Sequence, residues 1–133
     1  MTQGQSRDTA AGDSEALRAE HVRVSVPRIG LGAVVLTGES ILLVRRGRPP
    51  HEGSWSLPGG KLRFGETIAG ALEREVLEET GLLVEVGRLA GVLESIDAQR
   101  TFHYVILDYF ARVRGGVLRP GDDATDARWV RLD

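Results

Sequence analysis

The stretch Gly60 to Leu82, GKLRFGETIAGALEREVLEETGL, constrains this chain more than any other. It gathers Glu66, Glu73, Glu75, Glu78 and Glu79 around one internal arginine, Arg74. From Thr67 to Thr80 good helix formers dominate, no proline interrupts, and Gly81 stands where a helix stop belongs. At about 100° per residue, Glu75, Glu78 and Glu79 fall within roughly a 100° arc. Ile68, Ala69, Leu72 and Val76 occupy the adjoining arc, so the face that must be buried borders a face of three carboxylates. Like charges at these spacings cost a helix a few tenths of a kcal/mol per pair in water, and more when half-buried. A hard divalent cation such as Mg²⁺ turns that repulsion into coordination. A solvated acidic face explains the glutamates; it does not explain the glycine ahead of them or the aliphatic positions between them.

The remainder of the chain reads as a single α/β domain. Its 133 residues, 41% hydrophobic and 27% charged, are ordinary globular composition. The net charge of −2 supplies no overall basic field for nucleic acid, and the absence of cysteine excludes disulfides and thiolate metal sites. The first 20 residues lack an apolar core and no run approaches a membrane span, so the expectation is a cytoplasmic protein with no membrane partner. Residues 1–27 read as an extension with a short helix at Ser14–Glu20 and an edge strand at His21–Val26; residues 28–133 read as the functional domain. Within it, strands are expected at Ile29–Leu36 and Ile41–Arg46, joined by a turn at Thr37–Ser40. Pro58-Gly59-Gly60 reads as a tight turn. Leu83–Ile96 is extended, with Gly87 and Gly91 as bulge positions. Thr101–Val113 is the central strand, Arg114–Thr125 a loop, and Ala127–Leu132 a last strand. Two glycine signals fail their own tests. Gly30-Leu31-Gly32 sits inside a strand, and Gly59–Leu62 lacks the hydroxyl residue that a phosphate-binding P-loop requires.

The central stretch resembles the Nudix box, G-x5-E-x7-R-E-U-x-E-E-x-G-U with U aliphatic. Gly60, Glu66, Arg74, Glu75, Val76, Glu78, Glu79, Gly81 and Leu82 match it without a mismatch. The resemblance covers Arg28 to Leu132 and implies an α/β/α sandwich around a mixed sheet, with the box at the sheet edge. Family members usually carry another helix after the final strand. The chain stops at Asp133, so the expectation is that Ser14–Glu20 or a second subunit covers that sheet face, with a homodimer preferred.

The resemblance also implies Mg²⁺-dependent hydrolysis of a nucleoside diphosphate linked to another moiety, with Mn²⁺ as a possible substitute. Glu78 and Glu79 are the expected main ligands, with the Gly59 carbonyl as a third. Glu75 is either ligand or general base, Arg74 orients a carboxylate, and Glu66 supports the box by capping the helix or pairing with Arg74. Asp123, in the loop before the last strand, is similar in position to an acid that MutT-type members supply; as an alternative it is a turn aspartate. One of Arg45 and Arg46 is expected to face the cleft and hold phosphate. Phe64 heads the aromatics expected to stack on a base, followed by Trp55, Phe102 and Tyr104, although strand aromatics are more often core. ADP-ribose or a related nucleotide sugar is the first expectation for the substrate. A MutT-type nucleoside triphosphate pyrophosphohydrolase is the second, and a non-catalytic nucleotide sensor the third. The box fixes the reaction class and leaves the moiety open, since the downstream proline of many ADP-ribose enzymes is missing between Ile96 and Gln99.

Overall fold

A computed structural model describes residues 25–49, 51–121 and 123–133. The Ser14–Glu20 helix and most of the His21–Val26 strand lie outside the described residues, and Ser25 to Pro27 is not a strand. The elements run β1 (Arg28–Thr37), β2 (Ser40–Arg46), β3 (Trp55–Ser56), β4 (Gly59–Lys61), α1 (Ile68–Thr80), β5 (Leu82–Ile96), β6 (His103–Gly116) and β7 (Ala124–Arg131). The seven strands form one mixed sheet in the order β3-β2-β1-β6-β5, with β4 on β1 and β7 on β2. β1 and β6 are parallel, and the other pairs are antiparallel. The long apolar run read as central is indeed interior, between β1 and β5.

The core follows the period of two along β1, where Leu31, Ala33 and Val35 are buried. They meet Ala71, Leu72 and Val76 of α1 and Leu82 and Val84 of β5. The buried helix stripe therefore runs through Ala71, and Ala69 is exposed, which corrects the expected apolar arc. This rotation puts Glu75 and Glu79, four and eight residues beyond Ala71, at the border of the core.

Two further expectations are corrected. Pro58-Gly59-Gly60 is no turn: Gly59, Gly60 and Lys61 pair with Gly32, Leu31 and Gly30 as a strand. Backbone approach there is too close for a side chain, since a Cβ on Gly59 would collide with the Leu31 carbonyl. The late loop is also shorter than expected, because β6 runs to Gly116 and β7 starts at Ala124. The expected bulges at Gly87 and Gly91 are seen as register shifts between Val86 and Gly91. β1 and β2 pair only at Leu36↔Ile41 and Thr37↔Ser40, beside their turn. Beyond it they part, and β4 lies against β1 at Gly30 to Gly32.

The helix ends are strongly fixed. Thr67 Oγ1 accepts from Gly70 N at 3.0 Å. Gly81, at φ 78°, closes the helix by donating to Leu77 O at 2.9 Å. Buried Thr80 donates to Val76 O at 2.7 Å and accepts from Leu82 N at 3.2 Å. The loop after β6 straps the last carbonyls, with Val117 N on Gly81 O, Arg119 N on Thr80 O and Gly121 N on Glu79 O at 3.3, 2.8 and 3.2 Å. A Cβ on Gly81 would enter a left-handed conformation and collide with Val117 O. Gly81→Ala is therefore expected to lower unfolding free energy by at least about 1–2 kcal/mol. Urea denaturation reads this, and an unchanged midpoint would contradict it.

Candidate active site

A cleft of about 850 Å³ is lined by the end of β2, by β4 and by the acidic face of α1. Glu75, Glu79, Gly59, Gly60 and Asp123 line it together with Arg45, Arg46, Arg48, Lys61 and Arg63. Acid and base thus meet in one concavity, the arrangement expected of a site for a charged small molecule.

Arg74 is the clamp of the acidic helix. Its Nε and Nη2 donate to Glu66 Oε2 and Oε1 at 2.9 and 3.0 Å, a bidentate pair. Its Nη1 reaches Glu75 Oε2 at 3.1 Å and Glu78 Oε1 at 3.4 Å. The hydrogen bond from Arg74 holds the Glu66 carboxyl below its usual range. Glu66 also accepts from Arg63 N at 3.1 Å, which ties the loop to the helix. The supporting role expected for Glu66 thus has a geometry.

Glu79 Oε1 accepts from Gly59 N at 3.0 Å, across from the helix to β4. Burial pushes its carboxyl up to about 7. The Gly59 N–H opposes that shift, Glu75 and Asp123 add to it by repulsion, and Arg46 opposes it by attraction. Glu75 is raised too, chiefly by burial, with Arg74 pulling the other way. A Cβ on Gly60 would run into the Glu75 carboxylate, so this glycine leaves the space that the acid fills. Glu78 is exposed, turned to Arg74, and does not line the cleft.

Asp123 lies at the cleft mouth, where its carboxylate pairs with Arg48 Nε at 3.0 Å. Its backbone is fixed by Gly47 N donating to Asp123 O at 2.7 Å. Both arginines at the end of β2 line the cleft, and they differ in partner. Arg45 Nε donates to Gly53 O at 3.1 Å, whereas the charge of Arg46 acts on Glu79. Phe64 is fully exposed and outside the cleft lining, so the geometry does not bring it to the site. Tyr104 and Phe102 line the cleft instead. Lys61, Arg63 and Arg48 were not singled out from the sequence. Recognising β4 as a strand would have given Lys61 a face and drawn attention to it.

The donor set fits a hard cation. Two part-buried carboxylates, both with raised pKa, stand together, Asp123 adds its repulsion at Glu79, and glycine backbone stands beside them. Among the described residues no three acidic groups already converge on one point. Glu75 and Glu78 are drawn to Arg74 and Glu79 to Gly59 N–H, so a cation competes with these partners. For the metal-free chain, the raised Glu79 pKa means that the folded state holds its proton more tightly than the unfolded state. That contribution is complete below pH 4.5 and is lost as pH rises through about 7. In EDTA at pH 8, Glu79→Gln is expected to stabilise the chain by about 2–3 kcal/mol, and the gain should vanish near pH 4.5. Paired urea melts at the two pH values check this, and a variant less stable than the parent at pH 8 would contradict it.

The family profile for the NUDIX domain matches residues 26–133. The chain is 36% identical over 107 residues to an ADP-ribose pyrophosphatase of Methanocaldococcus jannaschii, covering 80% of this chain and 63% of that protein. It is 34% identical over 103 residues to an 8-oxo-dGDP phosphatase of Mus musculus, covering 77% of this chain and 30% of that one. It therefore spans less than two thirds of either curated relative. A crystal structure of a MutT NUDIX hydrolase from Burkholderia pseudomallei superposes with a TM-score of 0.74 at 35% identity, covering 80% of this chain and 84% of the other. The unbroken box, the single helix it forms against a mixed sheet, and the profile match over nearly all of the described residues agree: this chain belongs to the NUDIX family.

Proposed function

We propose that this chain hydrolyses the pyrophosphate linkage of a nucleoside diphosphate derivative, with ADP-ribose or a related nucleotide sugar as the first choice. The observation that carries this reading is the juxtaposition of part-buried Glu75 and Glu79 with Arg45, Arg46 and Lys61 in one cleft. The similarity to an ADP-ribose pyrophosphatase supports the substrate. Glu78, Glu79 and the Gly59 carbonyl are the proposed holders of Mg²⁺, or of Mn²⁺ in its place; Glu78, now on Arg74, would have to give up that bond to serve. When bound, the cation neutralises phosphate oxygens and acidifies water.

The chain's own residues do the rest. Arg46 and Lys61 are proposed to hold the non-bridging oxygens, lowering the repulsion that an entering oxygen meets. Glu75, raised by burial and aimed by Arg74, takes a proton from the attacking water. The water oxygen bonds to phosphorus as the bridging P–O bond breaks, and the leaving phosphate departs with the bridging oxygen. Asp123, tethered beside the mouth, contributes negative charge to the same centre.

A second reading, a MutT-type enzyme acting on (d)NTPs or their oxidised forms, draws support from the 8-oxo-dGDP phosphatase and from the MutT hydrolase structure. The exposed Leu89, Val92, Leu93 and Ile96 on β5 support a homodimer, a covering that the described residues do not supply. Among the described residues no helix is long and apolar enough to cross a membrane.

Turnover with Mg²⁺ over ADP-ribose, nucleotide sugars, dinucleoside polyphosphates and (d)NTPs tests the function. ADP-ribose should yield AMP and ribose 5-phosphate, and the second reading requires a monophosphate with pyrophosphate. Glu79→Gln is expected to cut kcat by about 100-fold or more. Loss within threefold would contradict its assignment, and an inactive parent over the whole panel would favour a nucleotide sensor.

A further inference from the structure

Two segments meet at the mouth of the cleft and hold each other by short contacts. β2 ends at Arg46 and continues into Gly47, Arg48 and Pro49, and the strap reaches β7 through Asp123. Arg45 pairs with Asp126 but Arg46 pairs with Ala124, so Thr125 is an extra residue and the ladder shifts there by one. That shift brings Gly47 opposite Asp123. Gly47 N donates to Asp123 O at 2.7 Å. A Cβ on Gly47 would stand 2.7 Å from Asp123 O and 2.9 Å from Thr125 Cγ2, so a side chain there would drive the segments apart.

The backbones are fixed, and the side chains above them are held only lightly. Gly121 N donates to Glu79 O at 3.2 Å and Ala124 N to Gly121 O at 3.0 Å, which ties the Asp123 turn to the box helix. Arg48 Nε meets Asp123 Oδ1 at 3.0 Å, with the two side chains 72% and 57% exposed. An ion pair so exposed shifts an equilibrium by no more than about fivefold. It adds little to stability and costs little to break. Both partners line the cleft.

Each partner has a competing attraction in the same cleft. Glu79, whose charge is disfavoured most by burial, also feels the charge of Asp123. With a divalent cation at Glu79, Asp123 has a stronger counter-charge than Arg48. Arg48 then loses its carboxylate. Beside a bound diphosphate, a guanidinium so released takes phosphate oxygens in a two-pronged, charge-assisted contact.

We infer that Arg48 is a phosphate-binding residue that Asp123 holds in reserve, and that the two exchange partners when cation and ligand enter together, Asp123 turning to the cation and Arg48 to the phosphate. This rests on the reading above in taking the ligand to carry phosphates and the acids to hold a divalent cation. It adds a coupling between the two sites. Whatever draws Asp123 away strengthens phosphate binding, and by linkage phosphate on Arg48 frees Asp123 for the cation.

Phosphorus NMR titrations with methylenediphosphonate, whose bridge cannot be hydrolysed, test the exchange in excess Mg²⁺ and in EDTA. In Mg²⁺, Arg48→Ala should weaken binding about tenfold, the worth of a charge-assisted contact to phosphate. In EDTA, where Asp123 occupies the arginine, the same change should stay within threefold. Asp123→Asn removes the holder, so in that background Arg48→Ala should cost about tenfold even in EDTA. A general loss of positive charge would cost the same in every case. No loss in Mg²⁺, equal losses in the two conditions, or an EDTA loss that Asp123→Asn does not enlarge overturns the inference and leaves the hydrolase reading intact. A parent that shows the Mg²⁺-dependent Arg48 effect yet turns over no substrate sinks that reading and leaves the exchange standing.

Discussion

A carboxylate kept where its charge is poorly solvated is the constraint on which the rest of this structure depends. Glu79 sits at the border of the helix's buried stripe, held to Gly59 by one hydrogen bond, with Glu75 and Asp123 near enough to repel it. No packing advantage requires an acid there. A hydrophobic residue or a glutamine would avoid the cost, because burial without full pairing is unfavourable for any charge. The chain carries this cost at the place where a cation would remove it. The fold around Glu79 then reads as the apparatus that keeps it from relaxing. The Gly81 stop and the strap formed by Val117, Arg119 and Gly121 fix the last helical turn. The Arg74 clamp draws Glu66, Glu75 and Glu78 together beside it.

The cleft has an equally mechanical origin. β1 leaves β2 after two residue pairs and takes β4 and β6 as its neighbours. The glycines of β4 and β1 let the two backbones approach and keep the floor low. The end of β2 then delivers Arg45 and Arg46 to one wall, β4 delivers Lys61 to the floor, and the strap brings Asp123 to the mouth. The strap bonds directly to the last turn of the box helix and Asp123 to Gly47. The positions of acid and base in the site are therefore linked through short backbone contacts.

The parts legible in the sequence were those set by local chemistry. The helix and its glycine stop follow from propensity and from Gly81, and the β1–β2 turn and the bulges follow from their glycines. The matched box identified Arg74 and the carboxylates. What stayed hidden depends on tertiary contact. β4 is three residues long and paired only because β1 turns from β2, so its glycines read as a turn. Ala71 and Ala69 are alike in chemistry, and only the sheet decides which is buried. Phe64 lies inside the box sequence, but its loop leaves it in solvent. Tyr104 lies in an ordinary aromatic strand, and nothing local distinguishes a cleft-facing ring from a core one.

The central claim is that Glu79 is held in an unfavourable charge state that a divalent cation relieves. A site-resolved carbon NMR titration of the Glu79 carboxyl, with and without saturating Mg²⁺, tests it most directly. The account expects a midpoint near 7 without the cation, falling by at least about two pH units when Mg²⁺ is present. An ordinary carboxylate midpoint in the metal-free chain, or a midpoint that Mg²⁺ does not move, would contradict it.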